Sequence, residues 1–384
     1  MWTMAVAAGL AAGVGTVVTA APITPGNLVV YRVGDGTTSL GSSAAAVSLL
    51  EYTPTGTLQQ TINLDTTGSN VATQSGSATS NGALAISPDG SSIGFMAYGA
   101  NAGTASVTGT SAATTPRVVG RLDVATGTVD VSTRLTDSFN ADNARGAVWS
   151  GNTAWMTGNS NSSGSTAGVR TTTLGSTSGT SVSSTVTNTR TVRIFNGQLY
   201  MDTGSGTMGA YTVGSGLPTA SGTTSTLLVG TGGSQGSSDS PYAFLLFDLN
   251  PNIAGLDTAY IADDRNASAT TDGGIQKWSF DGSLWSLSYV LNHDTSNAFV
   301  SGLRGLTGYV NTNGQVQLFA TAGGTSNNSI YGTLDTGSSA QLSLLVSAGS
   351  NYVFRGIEYV IPEPASMVLL ALGGVFAGLR RRRA

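Results

Sequence analysis

Cysteine is absent from the 384 residues, histidine occurs once, as His293, and lysine once, as Lys277. Neither a disulfide nor a thiolate metal site can therefore form, and a zinc centre built from several Cys and His ligands is excluded. The lack of disulfides leaves export open, because a chain this long can bury a core that needs no cross-links. Charge is scarce as well. Only 9% of residues are Asp, Glu, Lys or Arg, where about 25% is usual in soluble chains. Taking away Arg380, Arg381, Arg382, Arg383 and Glu363 at the C-terminus moves the formal net charge from −4 to −7. An acidic body without grouped basic residues makes nucleic acid an unsuitable partner, since phosphate binding needs clustered Lys and Arg.

The chain is instead rich in 53 glycines and in long Ser/Thr tracts, with 40% hydrophobic residues. Small polar residues contribute little to an amphipathic helix and suit short strands joined by many turns. Hydrophobicity at this level argues against a disordered chain. The composition points to an all-β class, and the length is ample for one large core or two ordinary ones.

Both ends differ from the middle. Residues 4–20 form an apolar Ala/Val/Gly run too short for a membrane span. Val18, Thr19 and Ala20 before Ala21 place small residues where a signal peptidase reads, so residues 1–20 are expected to be a signal peptide cut between Ala20 and Ala21. The positively charged start of such a leader is missing from residues 1–3, as in a leader shortened at its beginning. At the other end Pro362, Glu363 and Pro364 stop any regular element. An apolar stretch over 365–379 follows, then Arg380, Arg381, Arg382 and Arg383. As a helix the stretch covers about 22 Å, with arginines able to snorkel to the cytoplasmic surface, so residues 361–384 read as a transmembrane anchor and 21–360 as the body.

This terminal order resembles the PEP-CTERM proteins of Gram-negative bacteria. The resemblance covers about residues 361–384 and implies recognition by an exosortase, cleavage near Pro362, Glu363 and Pro364, and delivery of the body to the cell surface or extracellular matrix, often beside exopolysaccharide. It says nothing about the body.

The body is repetitive. Strand-like segments begin at Gly82, Arg145, Arg190, Tyr242, Arg304 and Arg355, spaced by 63, 45, 52, 62 and 51 residues. Tight-turn signals follow most of them, among them Asp89-Gly90, Asn196-Gly197 and Asn313-Gly314, and a second hairpin recurs in the same units. Four strands per unit of about 50 residues is the pattern of a β-propeller blade. We therefore expect a single propeller of about six four-stranded blades. The segment from Arg355 would supply the innermost strand of the blade begun at residues 27–33, pairing the N- and C-terminal strands and closing the ring. A seventh blade would have to lie within 214–240. The alternatives are a pair of β-sandwiches or a parallel β-helix, the latter disfavoured by the variable spacing.

Chemistry is less marked. The long polar links at 34–43, 99–116, 158–168, 263–273 and 322–328 would gather on one face and form the expected binding rim. Asp263, Asp264 and Asp272 make the densest acidic group, with oxygen atoms suited to calcium, but they lack the EF-hand spacing and match ordinary turn use. His293 has no marked nucleophile beside it. The GGSQG run at 232–236 matches the nucleophile-elbow pattern, but no helix signal follows it. Trp149, Trp155, Trp278 and Trp285 fall on strand-like segments, where packing is the commoner use. The arginines that open four of the inner strands read as ties between blades.

The function expected from the residues is a non-enzymatic exported protein without a cofactor, processed by exosortase and the export machinery. It would bind exopolysaccharide or a surface protein through the long-loop face. The alternative is an extracellular polysaccharide hydrolase or lyase using Asp263, Asp264 or His293.

Overall fold

The computed structural model describes residues 20–161, 166–234, 240–268, 271–293 and 302–361. Among them the regular elements are β-strands and one 3₁₀ turn at Val107–Gly109. No helix of the described residues is long and apolar enough to cross a membrane, and the segment expected to do so, 365–379, lies outside them.

From the N-terminus, β1 (Leu28–Val33) leads through the two-residue strand β2 (Ala44–Ala45) to β3 (Val47–Tyr52) and β4 (Leu58–Asn63). A second short strand, β5 (Gln74–Ser75), pairs with β2. Next come β6 (Ala85–Ile86), β7 (Ser92–Tyr98), β8 (Arg117–Asp123) and β9 (Val129–Leu135), in one antiparallel sheet of that order. The following sheet is β10 (Ala144–Ser150), β11 (Thr153–Gly158), β12 (Gly168–Thr173) and β13 (Thr180–Ser183). After it stand β14 (Thr189–Phe195), β15 (Gln198–Thr203), β16 (Thr207–Val213) and β17 (Ser225–Ser234). The stretch 214–240 therefore contributes the fourth strand of this sheet, and the GGSQG run begins at the end of that strand.

Two further meanders complete the body: β18 (Pro241–Phe247), β19 (Thr258–Ser268), β20 (Thr271–Phe280) and β21 (Trp285–His293), then β22 (Leu303–Val310), β23 (Val316–Ala322), β24 (Ser329–Leu334) and β25 (Gln341–Ser347). Their outer strands β21 and β25 touch in parallel over Asn292–Gln341 and His293–Leu342, which merges the two into one sheet. The last strand, β26 (Val353–Tyr359), returns to the beginning and pairs antiparallel with β1, giving the order β26-β1-β3-β4. The pairing of N- and C-terminal strands expected from the sequence is thus present, and it places β1 inside its sheet, between β26 and β3.

Hairpin chemistry sets much of this register. Asn196 and Gly197 between β14 and β15 have φ of 48° and 72°, the two positive values that a two-residue type I′ turn needs. Hydrophobic clusters lie between sheets, because each sheet has two apolar faces to cover. Val29, Tyr31 and Leu49 of one sheet meet Ile93, Phe95 and Val118 of the next. Met96 and Val119 pack on Ala147 and Trp149, and Trp155 and Val169 on Val192 and Leu199. Tyr200 and Ala210 meet Phe244 and Ile261, and Tyr260 and Ile275 meet Leu306 and Leu318. Phe319 and Ile330 then pack against Val30, Leu50 and Phe354, which returns the series to its start. The innermost strands follow the same circle, β6 beside β10, β10 beside β14, β14 beside β18, β18 beside β22, β22 beside β26 and β26 beside β6. The result is a propeller-like all-β ring around an axial channel.

Candidate functional site

The inner strands share one irregularity. Arg145 of β10, Tyr242 of β18 and Arg304 of β22 are each the extra residue of a β-bulge. Register also slips at Arg190-Thr191 in β14 and at Arg355-Gly356 in β26. A bulge re-aims the side chain it carries, and here it recurs at one level around the axis. In β22 and β26 the residue after the irregularity is glycine for a steric reason. A Cβ on Gly356 would stand 2.5 Å from the Gly82 carbonyl oxygen, and one on Gly305 would stand 2.7 Å from that of Arg355.

Four of the five side chains at these irregularities, all but Arg145, gather at the channel mouth. Arg190, Tyr242, Arg304 and Arg355 line a cavity of about 30 Å³ together with Ser80 and Asn81. The Arg190 guanidinium lies 3.7 Å and that of Arg304 4.2 Å from the centre of the Tyr242 ring. In an antiparallel meander the start of the first strand and the link from second to third strand fall at the same end. The mouth therefore opens among the links expected to form the rim.

Each arginine also ties neighbouring sheets, as the sequence suggested. Arg145 donates to Ser80 Oγ at 3.1 Å, to Asn188 Oδ1 at 2.5 Å and to the Thr189 carbonyl at 2.9 Å. Arg190 donates to the carbonyl of Pro241. Arg304 pairs with Asp264 at 2.6 Å, and Arg355 donates to the carbonyls of Gly324 and Gly76 at 2.8 and 3.0 Å. Burial, with the like charge of Arg304 next in weight, pushes the Arg355 guanidinium down to about 9. Burial and then Arg190 push Arg145 down to about 10.

Deeper in the channel Arg193 of β14 reaches across to Glu358 of β26, with Nη1 2.8 Å from Oε2. Thr307 donates to Glu358 Oε1 at 2.9 Å, and Arg193 Nη2 donates to the Leu306 carbonyl at 2.8 Å. Burial raises the Glu358 carboxyl above its usual range, with the charge of Arg193 opposing. This buried pair stands at the floor of the mouth.

Two members of the acidic group read from sequence, Asp263 and Asp264, lie beside guanidinium groups. Asp263 is fully buried and accepts from Arg265 Nε at 2.8 Å, Gln276 Nε2 at 3.1 Å and the Ser240 amide at 3.2 Å. Asp264 faces Arg304, so both carboxylates are turned to guanidinium groups. No group of three His, Asp or Glu among the described residues is arranged to hold a metal ion. The 263–273 segment, read as a long link, is largely strand: β19 runs to Ser268 and β20 starts at Thr271, so polar composition there concealed a long hairpin. Asp272 lies on β20 opposite Ala267 of β19. His293 ends β21, the outermost strand of its meander, while Asp264 lies on β19 next to the inner strand.

The 99–116 link is tied down. Fully buried Arg117 donates to the carbonyls of Thr110, Thr115 and Phe139 at 2.7, 2.6 and 3.1 Å, and so holds the 99–116 link. The tryptophans are packing residues: Trp149 Nε1 donates to the Gly120 carbonyl at 3.0 Å, Trp155 to that of Pro218 at 2.7 Å, and Trp278 to Gln276 Oε1 at 3.0 Å. Trp285 lies against Phe280, with ring centres 5.3 Å apart. At the expected leader junction Ala21 exchanges hydrogen bonds with Gln60.

Beyond this frame, residues 360–383 match the family model described as the PEP-CTERM protein-sorting motif. The chain carries a PEP-CTERM tail. That tail begins one residue after β26 ends at Tyr359, and it implies an exported protein sorted to the cell envelope by an exosortase. Pro362, Glu363, Pro364 and Arg380 to Arg383 lie outside the described residues. No curated protein matches the chain. Among solved structures, a chain of a nidogen/laminin complex is similar at a TM-score of 0.50 and 12% identity, over 87% of this chain and 98% of that one. This likeness supports the propeller-like fold alone. The periplasmic gluconolactonase of Pseudomonas aeruginosa has a TM-score of 0.40 at 14% identity, over 84% of this chain and 83% of its own. A lectin of Aleuria aurantia has 0.37 at 14%, over 80% and 93%. Both are too distant to bear on function.

Proposed function

We propose that this protein is a non-enzymatic binding protein of the cell surface or extracellular matrix, built as a six-bladed propeller over residues 21–360. Its long-loop face and channel mouth engage exopolysaccharide or another surface protein. Residues 1–20 act as a leader, and the tail holds the body at the inner membrane until exosortase cuts it. The observation that carries this reading is the sorting motif at 360–383, placed directly after the strand that closes the ring.

Support for binding over catalysis comes from the acidic residues. Asp263 and Asp264 are engaged by Arg265 and Arg304, and His293 sits three strands out from the channel. A polysaccharide hydrolase or lyase using Asp263 or Asp264 would need that carboxylate released from its guanidinium partner.

Two experiments test the reading. Tagged protein followed in cells with and without exosortase should shift to a smaller, surface-located form only when the enzyme is present; an unchanged cytosolic form would overturn it. Purified protein should be retained on the host's exopolysaccharide or envelope fractions without shortening the polymer, whereas release of sugar fragments would favour the enzyme.

A further inference from the structure

The arginine cluster carries more positive charge than blade ties require. Among the described residues Arg304 is the member of the four with an ion-pair partner, Asp264. Its Nε and Nη1 are buried without an acceptor, and so is Nε of Arg355, a residue only 5% exposed. Arg355 feels the like charge of Arg304, and Arg145 that of Arg190. Like charges held together out of water cost free energy unless an opposite charge joins them. The body around them is acidic overall, so the cluster is a local reversal of sign.

The cavity fixes the size of what can answer that charge. At about 30 Å³ it takes one or two water-sized groups and no sugar ring. Ser80, Asn81 and Tyr242 on its wall supply neutral polar atoms beside the guanidinium groups. The Arg193–Glu358 pair below offers no further cation, because Arg193 is already spent on Glu358.

We propose that Arg190, Tyr242, Arg304 and Arg355 form an oxyanion site that receives a single carboxylate group of an acidic polysaccharide at the channel mouth. The site deepens the binding role proposed above and rests on it for the source of the ligand. Each sugar ring stays outside, on the long-loop face, while its carboxylate enters. Asp264 competes with the ligand for Arg304.

The test is titration of the purified full chain with glucuronate, with methyl glucoside as the neutral ring and inorganic phosphate as the free oxyanion, all at constant ionic strength. Glucuronate should bind saturably and be displaced by phosphate, and methyl glucoside should not bind. Arg304→Gln should weaken glucuronate about tenfold, the size of one charge-assisted hydrogen bond. Asp264→Asn removes the competing carboxylate and should tighten binding about fivefold. That gain cannot come from a damaged fold, so it keeps the test decisive if Arg304→Gln is unstable. Equal binding of glucuronate and methyl glucoside, or an unchanged affinity in Asp264→Asn, would overturn the proposal, as would binding of phosphate without glucuronate. Retention on a neutral envelope polymer with no glucuronate binding would sink this site and leave the binding role standing. Glucuronate binding that depends on Arg304, without retention on any envelope fraction, would do the reverse.

Discussion

Asp202 on β15 gives the sharpest quantitative expectation. It is 1% exposed, and its Oδ1 accepts the Thr191 amide at 2.5 Å and the Thr191 hydroxyl at 2.7 Å, while Oδ2 has no partner. Burial pushes the carboxyl up from 3.8 to about 7, against the hydrogen bonds of Thr191 and the charges of Arg190 and Arg145. The register explains why a neutral group belongs there. Thr157 lies opposite Gly146 and Thr321 opposite Gly305, and each donates its hydroxyl to the carbonyl of the next inner-strand arginine, Arg190 or Arg355. Asp202 holds the matching position opposite the β14 bulge, where a protonated acid can act as the same kind of donor. The folded protein therefore keeps a proton that the unfolded chain releases near 3.8. The stability this gives is complete below that pH and is lost as pH rises through about 7. At 1.36 kcal/mol per pH unit the whole loss is about 4 kcal/mol, of which about 2.5 kcal/mol falls between pH 5 and pH 8. Asp202→Thr should fold and lack this loss. Unfolding in urea at both pH values should show the variant gaining on the natural chain by about that amount as pH rises. A difference between the two proteins that stays flat with pH would refute the reasoning.

Glu358→Gln or Arg193→Met alone should cost about 3–5 kcal/mol in denaturant unfolding, because each leaves a buried partner uncompensated. The double change Arg193→Met with Glu358→Leu should recover most of the loss; an additive loss would show that the pair is not the cause. Lys277→Met should cost about 2–3 kcal/mol, less than a fully buried pair because its side chain is 21% exposed, and should shift acid unfolding to higher pH. Burial works to raise the Asp335 carboxyl, but hydrogen bonds from Lys277, Tyr260 and Tyr289 outweigh it and leave it lowered, so its stability is present at neutral pH and lost as pH falls through the folded value. An unchanged acid transition in Lys277→Met would contradict that link. Gly356→Ala should lower the calorimetric melting temperature by the equivalent of about 1–3 kcal/mol, since the new methyl meets the backbone of 82–84; an unaltered transition would show that the inner strands can part freely.

The repeats were legible because their punctuation is local. Asn-Gly and Asp-Gly turns and the recurring Arg-Gly at 145–146, 304–305 and 355–356 each answer a backbone demand that acts within a few residues. The tail was legible for a similar reason, its three parts standing in order at one end. The long hairpin of β19 and β20 was misread as a link because its strands are edged with Asp, Asn, Thr and Gly, the same residues that make turns. Arg193 and Glu358 could not be paired from the sequence, since they lie 165 positions apart by the numbering and meet only when the ring closes. Asp202 was hidden in the same way. Its role depends on facing a bulge, and a bulge of one extra residue cannot be read from an alternating pattern that it interrupts.

One position thus performs two tasks with different requirements. As blade ties, the bulge arginines need carbonyl oxygens, and Arg145, Arg190 and Arg355 find them on neighbouring sheets. A tie made only for stability would fare as well with a neutral donor, which carries no charge into a buried place. Thr157 and Thr321 show that the fold already uses neutral hydroxyl donors for the links between second strands and the next inner strand. Keeping the three guanidinium groups of Arg190, Arg304 and Arg355 and an aromatic ring at the mouth instead, above a floor already neutralised by Arg193 and Glu358, is difficult to explain by ring closure. It is what a site for negative charge requires, and the opposite effects expected of Arg304→Gln and Asp264→Asn separate the two explanations.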